Sequence, residues 1–191
     1  MRPHILTLLA AIAALFLAGC QIWQPGGVTA KTGDGAASLT VPSGWMFTTA
    51  RNVAQGDLLA TKDGALLQRV VLSHHEIKEP LAHSKRKLEA TQTPFEIADA
   101  VLDDLRANRE MQALKVIENT PQTVGGHPGF RFVVEYGVAD PVGLKLREVH
   151  YGALVGARLY QLTFIAPARH YFERDLAAID KAAQSLQLAA R

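Results

Sequence analysis

The chain has 191 residues, 20 basic against 18 acidic side chains, a formal charge of +2, and 48% apolar residues. That is enough apolar material for one buried core. It excludes a basic field able to hold nucleic acid, since no run of like charge exceeds Lys85-Arg86-Lys87. The single cysteine, Cys20, excludes an intrachain disulfide.

Taken in order, the chain opens with a short positive start at Arg2 and His4. Ile5 to Ala18 is then apolar except for Thr7. Charged start, apolar run and small residues are the order of a secretory signal. The run is too short to cross ~30 Å of hydrocarbon, which needs about 20 residues. Leu17-Ala18-Gly19-Cys20 resembles the bacterial lipobox. There the chain is cut between the small residue and the Cys, here Gly19 and Cys20, and a diacylglycerol is carried on the Cys thiol. The plainer alternative is a secretory signal with an incidental cysteine, yet the only Cys of the chain stands where a lipobox needs it. The leader carries one formal charge, Arg2, so removing it lowers +2 to +1. Gln21 follows the Cys where an Asp would signal inner-membrane retention. The expectation is a lipoprotein on the periplasmic face of the outer membrane, with an inner-membrane lipoprotein as the alternative.

Residues 20–37 read as the acylated Cys and a flexible tether, carrying Pro25, Gly26, Gly27, Gly33 and Gly35. Gly-rich coil of this length spans roughly 25 Å. Trp23 lies where an amphipathic ring can rest among lipid headgroups. The folded domain is expected over 38–191. Leu39-Thr40-Val41 is a short strand ended by Pro42, and Trp45–Thr49 a second. Asp57–Lys62 and Ala65–Ile77 are joined by Asp63-Gly64, a tight-hairpin signal. The long second arm predicts a central strand. Leu81–Gln92 is a loop with at most a helical turn.

Thr93-Pro94-Phe95-Glu96 starts a helix, with Thr93 as cap, Pro94 in the first turn and Glu96 three residues after the cap. Ile97, Ala98, Val101, Leu102 and Leu105 form its apolar stripe. Leu114–Asn119 reads as a strand, with a loop from Pro121 and a turn at Gly125-Gly126-His127-Pro128-Gly129. Phe130, Phe132, Val134 and Tyr136 then share one strand face. Leu144–Leu154 and Arg158–Ala166 pair around Gly156. After Pro167, Phe172, Leu176, Ile179, Ala183 and Leu186 mark a final amphipathic helix. Strands grouped between two such helices predict an α+β domain, an antiparallel sheet of six to seven strands flanked by helices.

Val41-Pro42-Ser43-Gly44-Trp45, Gly125-Gly126 before Gly129-Phe130-Arg131, Leu159-Tyr160-Gln161-Leu162, and Ala166-Pro167 leading to a helix that ends in Gln184-Ser185-Leu186 resemble PsbP-like and Mog-like proteins. The resemblance implies a curved antiparallel sheet with flanking helices. It implies binding or assembly rather than catalysis, since known members are an extrinsic photosystem subunit and a Ran-binding import factor. Bacterial relatives are often lipoproteins without a known role. The lipobox sets this chain apart from those two members, so their partners do not transfer.

His74-His75-Glu76 is the main candidate for chemistry. On a strand His74 and His75 face opposite sides, but His74 and Glu76 share one. With a third ligand from elsewhere they suit Zn²⁺ or a similar ion. The plainer reading, a polar strand end near a sheet edge, is the favoured one. His83, His127, His150 and His170 are scattered. Gly-Xaa-Ser-Xaa-Gly and His-Glu-Xaa-Xaa-His are both missing. The glycines at 125–129 lack the Lys-Ser/Thr ending of a phosphate loop. Asp103-Asp104 reads as a solvated helix face, and lipidation of Cys20 removes thiol catalysis. The expectation is a non-enzymatic, membrane-anchored lipoprotein without a cofactor beyond its acyl group, binding a protein or envelope component. The alternative is a periplasmic-face domain for a metal or small ligand.

Overall fold

In the computed structural model, which describes residues 22–51, 54, 56–140 and 143–189, eight strands form one antiparallel sheet. Its members are β1 (Gln24–Pro25), β4 (Met46–Thr48), β5 (Leu58–Thr61), β6 (Arg69–Glu76), β7 (Gln112–Val124), β8 (His127–Gly137), β9 (Lys145–Val155) and β10 (Arg158–Pro167). They lie in the order β1-β4-β5-β6-β10-β9-β8-β7. β2 (Thr29–Lys31), β3 (Ala37–Thr40) and β11 (Gln187–Leu188) make a second, three-stranded sheet. Helix α1 is Pro94–Ala107 and helix α2 is Tyr171–Gln184.

The large sheet is buried on both faces, because alternate residues of its strands feed two separate cores. On one face Leu72, Tyr160, Leu162, Phe164, Val149 and Tyr151 pack under α2 and the small sheet. On the other Phe130, Phe132, Val134 and Tyr136 pack under Ile97, Ala98, Val101 and Leu102 of α1. Successive side chains on a strand point to opposite faces, so one alternating sequence serves both layers.

The start of α1 follows its local chemistry. The Glu96 N–H donates to Thr93 Oγ1 at 3.3 Å, and the Thr93 N–H donates to the Glu96 carboxylate at 2.8 Å. Two donors that the helix cannot pair internally are thus satisfied. Leu81 and Leu88 from the preceding loop close over this core. Asp104 is not merely solvated. Its carboxylate accepts the N–H groups of His83 and Ser84 at 2.8 and 2.7 Å and so pins that loop to α1.

Five expectations need correction. Residues 24–31 are not a tether: β1 pairs with β4, and β2 with β3. Gly26 and Gly27 serve backbone approach, not mobility. Their N–H groups donate to Trp45 O at 2.6 Å and Val41 O at 2.8 Å, and a Cβ on Gly26 would stand 2.9 Å from Trp45 O. The folded domain therefore begins at Gln24, ahead of the expected start at 38, and the main sheet has eight strands rather than six to seven. Asp63-Gly64 is not a two-residue hairpin. Thr61 Oγ1 accepts from the Gly64 N–H and donates to Gln68 O, which closes a longer loop and leaves Leu66 99% exposed. Finally, Pro121 lies inside β7, not at a loop. β7 is the outer strand of the sheet, where a missing N–H is tolerated. The two-residue turn into β8 is at Gly125-Gly126, both with positive φ.

Candidate functional site

Gly19 and Cys20, the expected cleavage and lipidation positions, lie outside the described residues. His74 and Glu76 do share a face of β6, but each is committed elsewhere. His74 Nδ1 is 2.6 Å from Asp57 Oδ2. Glu76 accepts from Arg158 Nε at 2.7 Å, and Arg158 Nη1 also reaches Asp34 at 3.0 Å. The Arg158 hydrogen bond holds the Glu76 carboxyl below its ordinary value of 4.5. His75 bonds the Glu79 carbonyl at 2.9 Å on the opposite side. A cationic guanidinium, not a third ligand, completes this corner. Among the described residues no group of three or more His, Cys, Asp or Glu is placed to hold a metal ion.

The polar cluster that the fold does assemble is elsewhere, beneath the end of α1. Glu148 and His150 alternate on β9 around Val149, so both point toward the α1 face. They are only 3% and 4% exposed. Glu148 accepts from the Tyr136 hydroxyl at 2.5 Å with one oxygen and bonds His150 Nε2 at 2.8 Å with the other. His150 Nδ1 is 3.2 Å from the hydroxyl of Thr163, its cross-strand neighbour on β10. Phe132 stacks on the imidazole with centroids 4.5 Å apart. Nε2 thus faces the carboxylate and Nδ1 the Thr163 hydroxyl, so the buried imidazole is hydrogen-bonded through both ring nitrogens. Burial pushes the Glu148 carboxyl up, but the His150 hydrogen bond and charge, with the Tyr136 hydroxyl, outweigh it and hold the group below 4.5. Burial, with the neighbouring carboxylate, raises the Tyr136 phenol.

Helix α1 packs on β7, β8 and β9 and ends at Ala107. A cleft of ≈ 420 Å³ opens there, with Asn108 and Met111 on one wall and Arg69, Val71 and Ile165 on the other. Arg69 is a half-buried cation whose Nε is buried without a hydrogen-bond partner. Its Nη1 makes one long bond of 3.4 Å to Ala65 O. Thr163, His150 and Glu148 stand in the order hydroxyl, imidazole, carboxylate. Thr163 nonetheless sits within a strand paired on both sides, to His150 and to Val71, so its backbone offers no pair of free N–H groups to a developing oxyanion. Reasoning from the sequence named His150 only among scattered histidines. The Glu-Val-His alternation was visible there, but its helix cover and its partner Tyr136 come from 12 or more residues away.

No protein-family model matches the chain, and no curated protein does. Solved structures do match. LpqN of Mycobacterium tuberculosis, involved in cell envelope biogenesis, aligns over 93% of this chain and 96% of its own at 12% identity and a TM-score of 0.58. The Ran-binding protein Mog1p of Saccharomyces cerevisiae aligns over 87% and 97% at 8% identity, also with a TM-score of 0.58. The cyanobacterial PsbP of Synechocystis sp. PCC 6803 aligns over 90% and 95% at 14% identity and 0.52. At these identities the likeness is one of fold.

Proposed function

We propose that this chain, whose domain has the PsbP/Mog-like fold, is a non-enzymatic lipoprotein of the cell envelope. It is cut before Cys20, acylated there, and held at the periplasmic face of the outer membrane, where the domain binds a protein or another envelope component. The observation that carries this reading is the Leu17-Ala18-Gly19-Cys20 lipobox placed immediately ahead of a folded binding-type domain. Each buried CH₂ contributes about 0.8 kcal/mol, so two or three acyl chains hold a protein where one is marginal. No helix among the described residues is long and apolar enough to cross a membrane. The test is intact mass and membrane fractionation of the native protein against Cys20→Ala. Acyl mass and outer-membrane recovery, both lost in the variant, are expected; recovery in the inner membrane would select the alternative location. An unchanged distribution overturns the reading. Capture of one specific envelope partner by the full-length protein supports the binding role, and turnover of a substrate counts against it.

A second reading is favoured by one observation, the cleft lined by the half-buried Arg69 cation. A small ligand with a carbonyl or carboxylate group would meet the guanidinium there and lay an apolar body against Val71, Met111 and Ile165. Ligand carried through native purification, seen by mass spectrometry and absent from Arg69→Met, supports this reading; an empty wild-type protein with no thermal shift dismisses it.

A further inference from the structure

We infer that the β1 edge of the domain sits directly on the bilayer, with Ile22 and Trp23 in the headgroup layer, rather than hanging from a leash. The inference rests on lipidation of Cys20. Its geometric basis is how soon after Cys20 the chain is paired into the sheet. Strand β1 starts at Gln24 and is hydrogen-bonded into the sheet through β4. Extended chain reaches at most ~3.6 Å per residue, so Ile22 lies within about 7 Å of Cys20 and Pro25 within about 18 Å. The headgroup layer of one leaflet is about 5–8 Å deep, the difference between a ~30 Å core and a 40–45 Å bilayer, halved. An acylated Cys20 therefore keeps Ile22 within or at the margin of that layer, and the start of β1 at Gln24 within about 14 Å of the anchor.

The side chains at this edge match the surroundings so imposed. Ile22 is 45% exposed, and Met46, cross-strand partner of Pro25, is exposed as well. No acidic residue occurs from Cys20 to Gly33, while Lys31 supplies a cation. Trp23, half-buried, brings the amphipathic ring that favours an interface. A neutral-to-basic apolar margin suits an anionic lipid surface better than open water. Seven strand spacings of about 4.8 Å place the opposite edge, β7, roughly 33 Å away across the sheet. The anchored domain thus presents β7 and the α1 cleft to the aqueous side.

The chain's own fluorophores provide the test. Only Trp23 and Trp45 are present, and Trp45 is buried against Phe164. Full-length acylated protein is reconstituted into phosphatidylethanolamine–phosphatidylglycerol vesicles containing lipids brominated near the headgroup. Quenching and a blue shift of the Trp23 emission are expected, both lost when 15 Gly/Ser residues are inserted between Gln21 and Ile22 with acylation and thermal melting unchanged. A fluorophore on Ile117→Cys of β7, the sole free thiol once Cys20 is acylated, is expected to stay unquenched. An acylated protein whose Trp23 is not quenched, or whose quenching survives the insertion, overturns the seating alone. A protein without acyl mass overturns the anchor and this inference with it.

Discussion

Replacing Tyr136 by Phe removes one hydroxyl from the buried network and leaves the ring in place. That hydroxyl donates to Glu148 at 2.5 Å. A hydrogen bond to an ionised group contributes about 1.5–3 kcal/mol, part of which returns because the phenol no longer needs desolvation. The expected loss is about 1.5 kcal/mol, or roughly 3–6 °C in Tm for a domain of this size. Glu148→Leu is more severe. It leaves the Tyr136 hydroxyl and His150 Nε2 buried without a partner, and breaking such a buried pair costs about 3–5 kcal/mol. Because the folded-state value of Glu148 lies below 4.5, the unfolded chain binds the proton more readily. The stabilisation is complete above the unfolded value and is lost as pH falls through 4.5 toward the folded value. Urea unfolding of wild type and Glu148→Gln at pH 7 and pH 3.5 reads this directly, and the gap between them is expected to narrow at the lower pH. Arg69 faces the same carboxylate and lowers its value too, so Arg69→Met is expected to diminish the pH effect. A Tyr136→Phe protein within 0.5 kcal/mol of wild type, or a gap that widens on acidification, would refute the description of the network as fully coupled.

Gly152 lies opposite Phe130 on the neighbouring strand. A Cβ there would stand 2.7 and 2.9 Å from the two Cε atoms of that ring, so Gly152→Ala is expected to destabilise by about 1–3 kcal/mol. Phe130→Leu should restore part of that loss in a double-mutant melt; additive losses would show the ring is not the obstacle. Thr93→Ala removes the cap of α1 and is expected to cost about 1 kcal/mol, with faster amide exchange confined to the first helical turn. Leu66→Lys, at a fully exposed loop position, is expected to stay within about 0.5 kcal/mol of wild type in the same melts.

The helices were legible because their signals are local. Thr93, Pro94 and Glu96 specify a helix start within four residues, and the stripe from Ile97 to Leu105 specifies its buried face. The same holds for the strand containing Phe130 to Tyr136, whose alternation alone reveals two faces. The glycines misled where composition was taken for flexibility. Gly26 is small because the Pro42 and Trp45 carbonyls come close, and nothing near it in the chain announces that approach.

By itself the sequence determined the two amphipathic helices, the alternating strands, the antiparallel α+β class and the placement of the single cysteine at the end of a Leu17-Ala18-Gly19-Cys20 run, since each is written in residues a few positions apart. Tertiary structure alone decided that the glycine-rich segment is paired, that His74 and Glu76 are spent on Asp57 and Arg158, and that Glu148, His150, Tyr136 and Arg69 meet at one cleft. Those facts depend on strand order and on where α1 stops, and partners brought together from distant strands leave no periodic trace in the chain.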